Sequence, residues 1–168
     1  MRTITVVPYD KKWPEMFEAE RLLIKTLLGQ VAKDIHHIGS TSVPGLAAKP
    51  VIDILLEVSD LSALDNTEMS RAGYVARGEN GISGRRYFIK GADRRSHQVH
   101  AFAVGDTQVL RHLAFRDYLI ENNDISERYA DIKREAALLC NNDAQRYSAF
   151  KANFIERHLQ MALIDRER

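Results

Sequence analysis

The segment Val51-Ile52-Asp53-Ile54-Leu55-Leu56-Glu57-Val58 constrains this chain more than any other. It is rich in Val, Ile and Leu and apolar on both faces, the pattern of a central strand buried on both sides of a sheet. A strand repeats every two residues, so Asp53, Leu55 and Glu57 share one face and Ile52, Ile54 and Leu56 the other. Asp53 is therefore a carboxylate inside an apolar run. Burying such a group is costly unless it is paired, hydrogen-bonded or metal-bound. The residues alone leave two roles open for it: a functional carboxylate, or a loop cap or partner of an arginine.

The flanking sequence supplies helices and further strands. Apolar residues from Trp13 to Leu28 recur among Lys, Glu and Arg at helical spacing, with Pro14 tolerated in the first turn and Gly29 as a stop. Val31 to Ile38 reads as a short strand and Gly39-Ser40-Thr41-Ser42-Val43-Pro44-Gly45 as a loop. Asp60 to Ala72 reads as one helix, with Asp60 or Ser62 as its cap and Gly73 past its end. A strand begins at Tyr74–Val75. Arg85 to Lys90 and Gln98 to Val104 form an antiparallel pair joined by residues 91–96. Three helices follow, over 107–121, 126–140 and 144–163, punctuated by Asn122-Asn123-Asp124 and Asn141-Asn142-Asp143. Asp165-Arg166-Glu167-Arg168 is expected to fray. The order predicts one α/β (α+β) domain over 1–168, a mixed β-sheet flanked by helices with a helical C-terminal tail.

Composition narrows the function classes. The 24 Lys and Arg nearly balance 23 Asp and Glu, so net charge makes no case for nucleic acid or an anionic membrane as partner. No segment approaches the ~20 apolar residues of a membrane span, and the apolar run in the first ten residues is too short for a signal sequence. With Cys140 the only cysteine, no internal disulfide is possible and a cytoplasmic protein is expected. Cys140 reads as a buried helical thiol, and Arg116–Asp117 as an ordinary surface pair.

The chemistry-bearing constellation is the Gly39-Ser40 turn followed by the Asp53 strand. Glycine permits close backbone approach, and free N–H groups beside the Ser40 and Thr41 hydroxyls make a cradle for phosphate oxygens. His97 and His100, three apart on a strand, point to opposite faces, so they read more readily as structural histidines than as a paired metal site; His36-His37 invite the same reading.

The run from His37 to Ile54, His-Ile-Gly-Ser-Thr-Ser-Val-Pro-Gly-Leu-Ala-Ala-Lys-Pro-Val-Ile-Asp-Ile, resembles the signature of the GrpB family. So do Gly73-Tyr74, Arg86-Tyr87-Phe88, His97-Gln98-Val99-His100, residues 113–119, Tyr129 to Leu138 and Tyr147 to Ile155, in the same order. This resemblance implies a nucleotidyltransferase-like fold of the polymerase-β type. There a Gly-Ser turn holds triphosphate, and an acid pair on the next strand, with a third acid on a neighbouring strand, holds two divalent ions. It makes Asp53 the candidate catalytic and metal-binding residue, with His100 as a further metal ligand and Mg²⁺ or Mn²⁺ as the ion. Gly39, Ser40, Thr41, Lys49 and Arg86 become the candidates for nucleotide phosphates, Arg86 on the assumption that its hairpin overhangs the turn. The partner implied is an NTP, with the acceptor open.

The sequence departs from that pattern in two places. Leu55 stands where the second acid of the pair belongs, and the neighbouring strand offers His97, Gln98 and His100 instead of an acid. Three roles follow as expectations: nucleotidyl transfer from an NTP, nucleotide or phosphate binding without catalysis, or an accessory role in assembly.

Overall fold

The computed structural model describes residues 3–167. Its elements are α1 (Lys12–Leu28), β1 (Ala32–Ile38), β2 (Ile52–Val58), α2 (Asn66–Arg71), β3 (Val75–Ala76), β4 (Arg86–Lys90), β5 (His97–Ala103), α3 (Thr107–Glu121), α4 (Asn123–Leu139) and α5 (Ala144–Glu167). The five strands form one mixed sheet in the order β1-β2-β5-β4-β3. Only the β2–β5 pair is parallel. As its apolar run requires, β2 lies inside the sheet, between β1 and β5.

Each face of β2 has its own cover. Ile52, Ile54 and Leu56 pack with Trp13, Ile24 and Leu28 of α1 and Met69 of α2. On the opposite face Leu55 joins Ile38, Phe102 and Val109, the last from α3. Helices α3, α4 and α5 pack against one another, and a second apolar cluster ties Leu119, Tyr129 and Ala130 to Val43, Leu46 and Ala47 of the loop before β2. That loop is also held by a bridge between Val7 and Ala48. Among the described residues, no helix is long and apolar enough to cross a membrane.

Three expected elements differ. The single helix over 60–72 is a 3₁₀ turn, Leu61–Ala63, followed by α2, because the segment carries two caps. Asp60 accepts from the Ser62 N–H, and Asp65 from the Thr67 N–H, each in extended backbone that interrupts the helix. The break before α4 shrinks to Asn122, whose side chain donates to the Tyr118 carbonyl and closes α3 as α4 begins. At the other end α5 continues to Glu167, and Arg166 pairs with Asp117 at 3.3 Å; Arg168 lies outside the described residues.

The α1 side of the sheet buries one polar cluster. Glu20 of α1, 7% exposed, accepts from the Tyr74 hydroxyl at 2.8 Å and from the Lys90 ammonium, with His97 at 3.8 Å. Removing one member of such a cluster leaves the others desolvated and unpaired. Glu20→Ala is expected to lower the urea unfolding free energy by about 3 kcal/mol. Glu18→Ala, which breaks the exposed pair with Arg21 on the same helix, should leave the midpoint unchanged.

Candidate functional site

The turn after β1 is built against Asp53. In the β1–β2 register Ile38 faces Asp53, so Gly39 leaves the sheet directly beside that carboxylate. Gly39 has φ 72° and ψ −174°, a region only glycine occupies without strain. A Cβ there would lie 2.7 Å from Asp53 Oδ2. Glycine is thus required twice, by the backbone angle and by the carboxylate. Ser40–Ser42 then make one 3₁₀ turn.

Asp53 is 27% exposed and is held from β5. His100 Nε2 lies 3.1 Å from Asp53 Oδ1, and Arg85 Nη1 lies 3.3 Å from His100 Nδ1. A guanidinium only donates, so Nδ1 accepts and the imidazole proton sits on Nε2, donated to Asp53. With its amide oriented to suit its neighbours, Gln98 adds a second donor to Asp53 Oδ1 at 2.9 Å. Its amide oxygen accepts from Arg95 at 3.1 Å and from the Tyr87 hydroxyl at 3.2 Å. Burial raises the Asp53 pKa, but the His100 hydrogen bond, with the Lys49 charge, outweighs it, so the carboxyl stays below its ordinary value.

The donor set does not fit two protein-held divalent ions. Leu55 is fully buried among Ile38, Phe102 and Val109, where a carboxylate would be stranded in apolar surroundings. In register with Asp53 and Leu55, β5 offers Gln98 and His100. The Nε2 of His100 is engaged as a donor to Asp53, which makes it a positioning group for that carboxylate. One carboxylate is far from the oxygen-rich set that magnesium prefers.

The other expected residues divide. Ser40 meets the phenol of Tyr129 on α4. Thr41 is 2% exposed and its hydroxyl is used inside the turn, 2.9 Å from His37 Nε2 and 3.5 Å from the Val51 carbonyl. Lys49 does reach the site, its ammonium 4.8 Å from the centroid of the Tyr147 ring. Arg86 does not. Strand alternation turns it to the opposite face of the sheet, where it donates to the Leu61 and Leu64 carbonyls and to Asn66 and clamps the segment before α2. Its neighbour Arg85, buried, is the arginine facing His100. Arg116 is more than a surface pair: besides Asp117 it donates to the His37 carbonyl at 3.2 Å, tying α3 to the end of β1.

The helices bring residues that a linear reading passed over. Lys133 of α4 is 1% exposed, lies 4.6 Å from the Tyr129 ring centroid and donates to the Ala47 carbonyl. Lys151 of α5 lies 4.4 Å from the Tyr147 centroid. Burial, then neighbouring cations, pull the Lys133 pKa to about 6; burial and Lys49 pull Lys151 to about 8, against an opposing pull from Asp53. A signal existed: Tyr-x-x-x-Lys occurs in both helices, as Tyr129–Lys133 and Tyr147–Lys151, and i, i+4 spacing stacks the pair on one helix face. A cleft of about 810 Å³ opens between the β4–β5 face and the start of α5. Lys49, Arg77, Arg95, Tyr87, Gln98 and Ser148 line it, and no acid does.

The chain matches the family model described as GrpB protein over residues 3–161. It belongs to the GrpB family. It is 41% identical over 157 residues to UPF0157 protein YqkA of Bacillus subtilis, covering 92% of this chain and 46% of that one, so it spans about half of that relative. It is 31% identical to glutamate-rich protein GrpB of Alkalihalophilus pseudofirmus, covering 91% and 92% of the two chains. A 30% identical stretch, 88% of this chain, occupies 43% of a dephospho-CoA kinase of Mycolicibacterium paratuberculosis. The solved structure of GrpB from Enterococcus faecalis superposes with a TM-score of 0.93 at 41% identity, over 98% of this chain and all of that one. Cid1, solved in complex with its short product ApU, superposes at a TM-score of 0.51 and 16% identity, over 76% of this chain and 42% of that one. That likeness is one of fold: the chain has a nucleotidyltransferase-like architecture.

Two outcomes check this geometry. Gly39→Ala should destabilise the protein by about 2 kcal/mol or more; in an Asp53→Ala background the same substitution should cost less, because the clash with the carboxylate disappears and only the Cβ contact remains. A double-mutant cycle by chemical denaturation reads the difference. Burial, the largest cause for both, holds the folded-state pKa values of His37 and His112 at about 4, against an ordinary 6.5. The unfolded chain therefore binds protons that the folded one refuses below pH ~6.5. Stability is full above that pH and falls towards pH 4, by on the order of 2 kcal/mol for each histidine. His112→Gln should flatten the slope of Tm against pH across that window.

Proposed function

We propose that the cleft binds a nucleoside triphosphate, with the polyphosphate directed to Lys49 and Lys151 near the Gly39-Ser40 turn. The lysine cluster carries this reading. Lys49 lines the acid-free cleft and shares the Tyr147 ring with Lys151, while Lys133 sits on the Tyr129 ring; burial first, then the neighbouring cations, lowers the pKa values of Lys133 and Lys151. An anion is the natural complement of such a site. A volume of about 810 Å³ is ample for a nucleotide. Within this reading the module binds nucleotide without two-ion transfer chemistry, since Leu55 and the acid-free β5 strand supply only one carboxylate.

Asp53 favours a second reading, nucleotidyl transfer from an NTP to an acceptor with Mg²⁺ or Mn²⁺. It is the one acid kept at the turn, and it is held ionised and aimed by two β5 side chains. Incubation with labelled NTP, a divalent ion and candidate acceptors separates the two readings: label transfer that is lost in Asp53→Asn supports catalysis, and saturable binding without turnover supports the module. The match to part of a dephospho-CoA kinase motivates an accessory role alongside a partner enzyme.

An anion bound beside Lys151 raises its pKa from about 8, so binding at pH 8.5 takes up protons. Titration calorimetry with ATP in two buffers of different ionisation enthalpy should show that uptake. Lys151→Met should abolish it and weaken binding about tenfold, close to the value of one charge-assisted hydrogen bond. If neither ATP, GTP, CTP nor UTP binds at millimolar concentration, the proposal is wrong.

A further inference from the structure

We infer that Asp34, His36 and Glu57 form a site for a divalent first-row transition-metal ion, separate from the Asp53 turn. The sequence reading treats His36 as a structural histidine. Strand register gives it a different setting. Asp34 of β1 faces Glu57 of β2, and His36 faces Leu55 two residues along, so Asp34, His36 and Glu57 project from one face of the antiparallel pair. His36 Nε2 lies 2.6 Å from Glu57 Oε2, and the donor atoms of all three residues lie within 4.8 Å of one another.

Three features favour a cation between them. Two carboxylates directly opposite each other on paired strands repel, and nothing in local β-structure demands that arrangement. Tetrahedral zinc, with bonds of about 2.0–2.1 Å, places its ligand atoms about 3.3 Å apart. The donor atoms already lie within 4.8 Å of one another, so closing on an ion asks for movements of only about 1 Å. Exposure also suits the exchange of an ion with solvent: the His36 and Glu57 side chains keep 21% and 15% of their surface accessible, and Asp34 is exposed.

One imidazole with two carboxylates suits Zn²⁺, Co²⁺ or Mn²⁺ better than Mg²⁺ or Ca²⁺, which prefer all-oxygen sets. Three protein ligands leave a position for water or an exogenous group. Next to these residues the β1–β2 register shifts between Ala32 and Asp34, where Lys33 is the extra residue. A bulge of this kind re-aims the side chains beside it. Glu57 stands four residues from Asp53 along β2, about 13 Å of strand, so no single ion bridges the two sites.

The test is a thermal-shift and calorimetric titration of the intact chain with Zn²⁺, with Mg²⁺ in parallel, near pH 7.5. Zn²⁺ should bind with one-to-one stoichiometry and raise Tm, and Mg²⁺ at the same concentration should not. His36→Gln and Asp34→Asn should each weaken Zn²⁺ at least tenfold, while Asp53→Asn should leave it unchanged. Asp34 is exposed, so its variant is expected to fold whatever becomes of His36→Gln. With Co²⁺ as probe, the visible absorption of an imidazole-ligated ion should appear in the parent chain and be lost in His36→Gln. No Zn²⁺ response in the parent chain, a response kept by Asp34→Asn, or one lost in Asp53→Asn would each overturn the assignment.

Discussion

The contact between the Gly39 backbone and the Asp53 carboxylate is the constraint on which the site depends. It demands a positive φ with an extended ψ at the end of β1, no side chain at Gly39, and a carboxylate held in one orientation. Each requirement recruits other parts of the chain. His100 and Gln98 fix the carboxylate from β5, and Arg85 fixes the tautomer of His100. The turn itself is closed by Thr41 against His37, and Arg116 of α3 ties its entry to the helical layer. A local steric fact is thereby connected to three strands and a helix.

The electrostatics of the site arise from the same packing. Lys133 and Lys151 have their charged forms disfavoured first by burial and then by other cations, while the tyrosine rings beneath them recover part of that cost. A protein gains nothing in stability by gathering cations in this way. The proposed anion would offset that repulsion, and the cleft lined by Lys49 contains no acid to compete with it.

Much of the fold was legible because it rests on local rules. The β2 strand followed from its β-branched and aliphatic run on either side of Asp53. Helix α3 was placed over Thr107–Glu121 as observed, since the Asn122-Asn123-Asp124 run closes it; the structure adds Asp106 as its cap. The family signature was legible in the same way, and with it the fold. Misreadings fell where two local signals compete, as at Asp60 and Asp65, or where alternation had to be counted from the right residue. Arg86 is the clearest case: a strand sends adjacent residues to opposite faces, so Arg85 faces His100 while Arg86 binds the far layer.

What the sequence by itself determined was the strand carrying Asp53, the glycine turn before it and the absence of the acids that would complete a two-ion site. These are properties of residue type and short-range spacing. Only the tertiary structure decided that the Tyr–Lys pairs of α4 and α5 meet Lys49 beside that turn, that the Nε2 of His100 is engaged by Asp53, and that Asp34, His36 and Glu57 share one face. The reason is physical. Each of the three groupings joins residues far apart in sequence through strand register and helix packing, and none is encoded in any single segment of the chain.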